Sequence, residues 1–433
     1  MSAIWNPRFE TMPREELEQL QLERLQSTLN RCYRYVAYYG QVLGEAGLQP
    51  EDLQSFDDLR RLPFTTKQSL RDSYPYGMFA VPLREIVRLQ SSYGTTGHPT
   101  VVGYTRNDLN HWTDLVARSL TGVGIGKEDV IQIFFGYGLF TGGFGFHYGA
   151  EAIGAAVIPV SSGDVARQLR IMQDFRTTAL AGTPSHALHM GRMLEKLEID
   201  PHSLSLRVGL FGAEPWSEPT RQEIERLLLL TAYDSYGLAE IGGPGVSSEC
   251  ECRCGMHLAE DHFYVEVVDP ETGDPVPAGE PGELVFTTLT KEAFPLLRYR
   301  TGDVAALDPA PCACGRTLAR MSRIQRRTDD VLILQGVRVI PDDVEEALRG
   351  FPEVGQGYQL IARQEEQGDV LEVLVEVGVV PDMSWSSLDR LRERVEETLR
   401  RTLGLDLTVR LVEPHSLHAP AGRQPRVLDE RAM

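Results

Sequence analysis

Apolar residues recur at three- and four-residue spacings over 13–45. There Leu17, Leu20, Leu22, Leu25 and Leu29 are separated by charged positions, and the spacing predicts helix. From about 86 to 240 short apolar runs alternate with helical patterns. "DVIQIFF" (129–135), "AAVIPV" (155–160), "TTALAGTP" (177–184) and "RVGLFGAEP" (207–215) each read as a buried strand closed by a Gly or Pro turn. Helical stretches such as 164–175 and 218–230 lie beside them. Strands separated by helices predict a parallel α/β sheet, whose ligands gather at the carboxyl ends of the strands. Residues 262–308 alternate in strand fashion between Pro, Gly and Asp turns, which predicts antiparallel β. A compact tail follows, with helix 342–350, strands 357–363 and 369–377, helix 386–402 and strand 407–412. The expected fold class is α/β. A large N-terminal region, 1–328, carries the parallel sheet and a β-rich, cysteine-containing part at about 245–328. A small α+β domain, 329–433, has its own core.

Length agrees with this division, since 433 residues exceed one ordinary core. With 42% hydrophobic and 24% charged residues the composition is globular, and no apolar run nears the ~20 residues of a membrane span. The start, "MSAIWNPRFETMPREELEQL", lacks a basic stretch followed by an apolar one, so no signal peptide is expected and cytoplasm is the default. A net charge of −19 argues against nucleic acid as a partner. A polyanionic ligand would need a local basic patch. Arg316, Arg320, Arg323, Arg326 and Arg327 offer one, although such runs are more often a solvated face.

Candidate chemistry concentrates where turns follow strands. "SSYGTTGHPT" (91–100) places Ser91, Ser92, Gly94, Thr95, Thr96 and Gly97 between two strand-like runs. Glycines allow close backbone approach, and hydroxyls with free N–H groups suit phosphate oxygens. It is not a Walker A loop, and "GVGIGKE" (122–128) has the wrong glycine spacing. "FGAEP" puts Glu214 after a buried strand, "YDSYGLAE" puts Tyr236 and Glu240 after another, and "YRTGD" puts Asp303 in a turn. Five of the six cysteines fall in two clusters. "CGMH" and "CACG" provide Cys254, His257, Cys312 and Cys314 for a closed tetrahedral Zn²⁺ site, with Cys250 or Cys252 as substitutes and free buried thiols as the alternative. "HLAEDH" matches no zincin motif.

The order of these stretches resembles the adenylate-forming superfamily of acyl-CoA synthetases, peptide-synthetase adenylation domains and luciferases. Within it, the chain resembles the phenylacetate–CoA ligase family over nearly its whole length. "GYGLFTGGFGFHYGAE", "YDSYGLAEIGGPGVSSEC", "EDHFYVEVVDP", "GELVFTTLTKEAFPLLRYRTGD" and "RTDDVLILQGVRVIP" carry the resemblance. It implies that "SSYGTTG" holds the ATP phosphates. Gly212, Ala213, Glu214, Pro215 and Tyr236 would flank the adenine, with Tyr236 stacked on its face, and Gly237 would belong to the same cofactor site. Glu240 would ligate Mg²⁺, Asp303 would accept the ribose hydroxyls, and Arg327 would reach ribose and α-phosphate. Asp329 matches the hinge on which the mobile small domain turns, and Gly336 would leave room for the pantetheine arm of coenzyme A. Tyr137 and Phe140 would wall an aryl-acid pocket floored by Gly142, beside Ala213, Pro244 and Gly245.

The implied partners are a small carboxylic acid, ATP and coenzyme A, with a homodimer as the family's frequent assembly. The implied reaction joins the acid to AMP with loss of pyrophosphate, then passes the acyl group to the thiol of coenzyme A. Three positions depart from the family pattern. Arg423 in "GRQPRV" stands where a catalytic lysine is usual, Tyr93 where serine is, and His98 where lysine is common. Arginine is planar and always protonated, so the exchange alters a tight site. Two alternatives follow: an enzyme that loads a carrier protein, or a degenerate homologue that only binds nucleotide or coenzyme A.

Overall fold

The computed structural model describes residues 3–431 except 93–98, 162, 329–331, 335–336, 340, 366–367, 379–384, 415 and 418–425. Two compact units divide the chain, Met1–Gln325 and Arg326–Met433. Among the described residues no helix is long and apolar enough to cross a membrane.

The first unit is built on a nine-stranded sheet. Five parallel strands run Thr231–Tyr236, Val208–Gly212, Ala179–Gly182, Val130–Ile133 and Ala156–Ile158 in spatial order, and short antiparallel strands extend the other edge. Val208–Gly212 and Ala179–Gly182 are buried along their whole length. That explains why they read as continuous apolar runs rather than alternating ones. The connecting helices carry their own start signals. Asp164 accepts from the amides of Ala166 and Arg167, Thr183 from His186, and Ser217 from Thr220. The long N-terminal pattern is two helices, Arg14–Tyr35 and Ala37–Glu45, because Val36 adopts an extended conformation between them.

A second layer, Phe263–Val268, Gly282–Thr288 and Tyr299–Ala305, is antiparallel as its alternation predicts. "YRTGD" lies inside its last strand rather than in a turn. The register slips between Glu283 and Val285, and the extra residues accommodate Gly302 at φ 77°. In the second unit, Gly368–Val377 lies between Val354–Glu365 (antiparallel) and Leu407–Val412 (parallel). The helices Pro341–Leu348 and Trp385–Leu403 complete that unit, whose separate core includes Leu360, Val373, Val395 and Leu399.

Candidate active site

Three predicted nucleotide residues, Gly212, Glu214 and Tyr236, lie at or just beyond the carboxyl ends of two adjacent parallel strands. Gly212 ends one strand, and a Cβ there would lie 2.0 Å from the Ser235 carbonyl oxygen, so only glycine lets the neighbouring backbones approach. Ala213 follows at φ 69°, a left-handed conformation that costs a non-glycine residue about 1 kcal/mol or more. Glu214 turns back, and its Oε1 accepts from the Ser185 amide at 2.6 Å, at the start of the helix Pro184–Lys196. Ser185 escaped the sequence reading, although "GTPS" follows a buried strand as "GAEP" does.

Tyr236 ends the adjacent strand. Its hydroxyl donates to Asp303 Oδ2 at 2.8 Å, and its ring packs on Phe286 at 6.1 Å. Two residues 67 positions apart are thus joined in a buried hydrogen bond, oriented by strands of two different sheets. Gly237 begins a turn that folds back so closely that a Cβ would meet the Gly243 carbonyl at 1.7 Å. The same turn carries the buried Glu240. Arg300 of "YRTGD" and Arg298 just before it are committed elsewhere: Arg298 pairs with Glu266 at 2.9 Å, and Arg300 with Glu283. Pro215 precedes Trp216, whose ring lies under the Arg323 and Arg221 guanidiniums. Asp234, buried in the same group, is raised to about 6 by desolvation, against the pull of the Trp216 and Arg323 contacts.

Ser91 and Ser92 open the hairpin Arg88–Ser91/Val101–Tyr104. The Ser91 amide donates to the Leu139 carbonyl at 2.9 Å, and Ser92 Oγ accepts from the Thr100 amide at 3.2 Å. Tyr93, Gly94, Thr95, Thr96, Gly97 and His98 lie outside the described residues, as do Asp329, Gly336 and Arg423. Arg327 lies in the second unit, in the short strand Arg326–Arg327.

The acid-pocket candidates are close in space, but their glycines are packed rather than open. A Cβ on Gly142 would meet Phe135 and Phe140, and one on Gly245 would meet Leu115 and Val116. Pro244 fills the space beside Gly145 and accepts from Trp112 Nε1 at 2.8 Å. Packing against Phe135 and Phe140 accounts for Gly142, and packing against the helix Arg106–Gly122 accounts for Gly245.

The two cysteine clusters converge. The potential ligand atoms of Cys250, His257, Cys312 and Cys314 lie within 4.8 Å of one another, all four residues buried. Sγ of Cys250 and Cys312 are 3.8 Å apart, and Cys314 Sγ is 3.4 Å from His257 Nε2. His257 Nδ1 faces the Leu318 carbonyl at 3.3 Å, which leaves Nε2 as the ligating nitrogen. Cys250 thus takes the place expected for Cys254. Cys254 is exposed, 3.6 Å from Cys312, and accepts from Arg320 at 2.7 Å.

Three arginines of the basic run are committed to carboxylates within the first unit. Buried Arg316 pairs with Glu10 at 2.6 Å, Arg320 with Asp308 at 2.5 Å, and Arg323 with Glu218 at 2.9 Å. "EDH" is structural in the same way: Arg14 bonds both oxygens of Glu260, and Arg118 both oxygens of Asp261.

Comparison with known proteins decides the lineage. Residues 89–289 match the AMP-binding enzyme family, and 336–431 match the AMP-binding enzyme C-terminal domain. The phenylacetate-coenzyme A ligase of Thermus thermophilus is 46% identical over 443 residues, covering 99% of this chain and 100% of that protein. The Escherichia coli phenylacetate-coenzyme A ligase is 45% identical over 430 residues, covering 98% and 97%. The chain belongs to the phenylacetate-coenzyme A ligase family. As a member of that family it is an AMP-forming acid–CoA ligase, with ATP and coenzyme A as cosubstrates. A 2-hydroxyisobutyryl-CoA ligase, solved in the postadenylation state with 2-HIB-AMP, matches this ligase at a TM-score of 0.86 and 28% identity, covering 98% of this chain and 92% of that one. The same enzyme with 2-HIB-AMP and CoA in the thioesterification state matches at 0.73 and 29%, with the same coverage.

Proposed function

We propose that this ligase activates an arylacetic acid, phenylacetate first, and transfers it to coenzyme A. The observation that carries the reading is the Tyr236–Asp303 hydrogen bond at the strand ends, in a chain sharing 46% identity with a phenylacetate-coenzyme A ligase over its length. The Tyr236 ring would stack on adenine beside the Asp303 carboxylate, which would accept the ribose hydroxyls. Gly212 and Ala213 bring backbone to the edge of the same site. The acid's carboxylate oxygen attacks the α-phosphorus of ATP; the P–O bond to pyrophosphate breaks, giving acyl adenylate and pyrophosphate. The coenzyme A thiolate then attacks the adenylate's carbonyl carbon, its C–O bond to phosphate breaks, and AMP leaves. Tyr137 and Phe140 would hold the aryl ring by apolar contact. Asp329 would act as hinge for a mobile second unit, and Gly336 would pass the pantetheine arm.

Glu240 would hold Mg²⁺, which supplies charge neutralisation at the phosphates when bound; a buried carboxylate suits that hard cation. Cys250, His257, Cys312 and Cys314 fit structural Zn²⁺. Tetrahedral bonds of about 2.0–2.3 Å place ligands roughly 3.4–3.8 Å apart, and the observed pairs stand at 3.8 and 3.4 Å. Four ligands close the sphere, so zinc would brace the loops rather than take part in acyl transfer. Thiols kept for a metal suit a reducing cytoplasm.

Acid-dependent ATP–pyrophosphate exchange, run on the native protein and on Arg423→Lys with a panel of aryl acids, tests the reading. Exchange by the native protein with phenylacetate supports it and shows that arginine serves at 423. Exchange by the lysine variant alone would mean an intact but detuned site. Exchange by neither would favour the nucleotide- or CoA-binding homologue, and transfer to a carrier protein in preference to coenzyme A would favour the carrier-loading enzyme.

A further inference from the structure

The helix Thr141–Ala152 presents two unlike faces. Gly145 and Gly149 face the helix Arg106–Gly122, where added Cβ atoms would strike Trp112 and Val116. Phe144, His147, Tyr148 and Glu151 follow at the three- and four-residue spacings that put them on one stripe of the helix. Tyr137, in the loop that precedes the helix, stands edge-on to two of them. Its ring is 5.3 Å from Phe144 at 78° and 5.8 Å from His147 at 87°.

A polar relay runs along that stripe. The Tyr137 hydroxyl is 3.2 Å from His147 Nδ1, and His147 Nε2 is 3.2 Å from Glu151 Oε1. A carboxylate only accepts, so in the neutral imidazole Nε2 carries the proton and Nδ1 accepts from the Tyr137 O–H. Glu151 thereby sets the tautomer that holds the phenol. Burial, with the Glu151 charge adding to it, holds the Tyr137 hydroxyl well above its ordinary pKa, so it stays a donor. From the other side Arg88 covers the Phe144 and Tyr148 rings at 4.7 and 4.8 Å and donates to the Tyr148 hydroxyl at 2.6 Å.

We propose that His147 is a positioning residue for acid selection: with its tautomer held by Glu151, it fixes the Tyr137 ring as a wall of the acyl pocket. This rests on the reading above that Tyr137 lines that pocket. His147 does not touch the acid. It removes the freedom of an aromatic wall that a loop alone would leave mobile, and so acts on acid binding and not on nucleotide binding.

The test is steady-state kinetics of the full chain with phenylacetate, varying acid and ATP separately. His147→Leu is expected to raise the acid KM about two- to tenfold, the worth of one neutral hydrogen bond, with the ATP KM changed less than about twofold. His147→Gln, whose amide oxygen can accept the phenol, is expected to restore most of the loss. In a Tyr137→Phe background His147→Leu is expected to add nothing further. Glu151→Leu, at the exposed end of the relay, shifts the acid KM in the same direction and covers the case in which His147→Leu does not fold. An unchanged acid KM, equal effects on acid and ATP, or a full effect in the Tyr137→Phe background would overturn the proposal. Tyr137→Ala separates the two layers: normal acid KM in that variant removes Tyr137 from the pocket and takes the His147 role with it. A raised KM there, with His147→Leu silent, refutes only the relay.

Discussion

Lys291 sits where burial has been imposed on a charge. Its side chain is 9% exposed, Nζ lies 4.0 Å from the centre of the Tyr104 ring, and no hydrogen-bond acceptor reaches it. Desolvation lowers its pKa to about 8, with the Asp108 carboxylate opposing the drop. Against the ordinary value of 10.5, that depression corresponds to about 3 kcal/mol of destabilisation at pH 7. Between pH 8 and 10.5 the unfolded chain binds more protons than the native one, so stability contributed at this position rises with pH across that window. Lys291→Met keeps the apolar stem and removes the charge. After discounting the lost contact with the Tyr104 face, about 1 kcal/mol, the variant is expected to be more stable than the native protein by about 2 kcal/mol at pH 7. The gain should fall below about 1 kcal/mol by pH 10. Urea unfolding followed by tryptophan fluorescence, to which Trp112 beside Lys291 contributes, measures both points. A destabilised methionine variant at pH 7, or a gain that does not change with pH, would refute the reasoning.

Tyr236→Phe removes the donor from a buried carboxylate; the ATP KM in pyrophosphate exchange should rise about tenfold while the acid KM holds, and a matched rise in both would count against the adenine–ribose assignment. His186 bonds Gln168 at 2.8 Å and is lowered to about 4 by burial, so the fold keeps it neutral. Its contribution is lost as pH falls from the ordinary 6.5 toward 4, and His186→Gln should flatten the acid limb of the melting profile by about 2 kcal/mol. Zinc measured by mass spectrometry should fall by about one equivalent in Cys250→Ser and hold in Cys254→Ser; the reverse pattern would return Cys254 to the ligand set.

Element types were legible along most of the chain because periodicity is local. The strand at 208–212, the helix at 165–174 and the tail strand at 407–412 fall where apolar runs and helical spacing put them. "YRTGD" was misread because a Gly after charged residues signals a turn, whereas a register slip against Glu283–Val285 absorbs it within a strand. The choice between Cys250 and Cys254 had no local signal. Spacing brings both near the second knuckle, and only the path of the loop turns one sulfur inward and the other toward Arg320.

By itself the sequence determined the layer architecture, the family and the list of chemical groups at the strand ends, since these depend on periodicity and ordered motifs. Tertiary structure alone decided which groups meet. Tyr236 finds Asp303 across two sheets, Glu214 finds Ser185, and Gly145 and Gly149 serve a helix contact that no spacing announces. Arg316, Arg320 and Arg323 read as one basic surface, yet each is paired with a carboxylate, from the buried and sequence-distant Glu10 to the exposed Asp308 and Glu218. The physical reason is range: helix and strand preferences are set within a few residues, whereas a site is set by which strand lies beside which, a matter of burial over the whole unit.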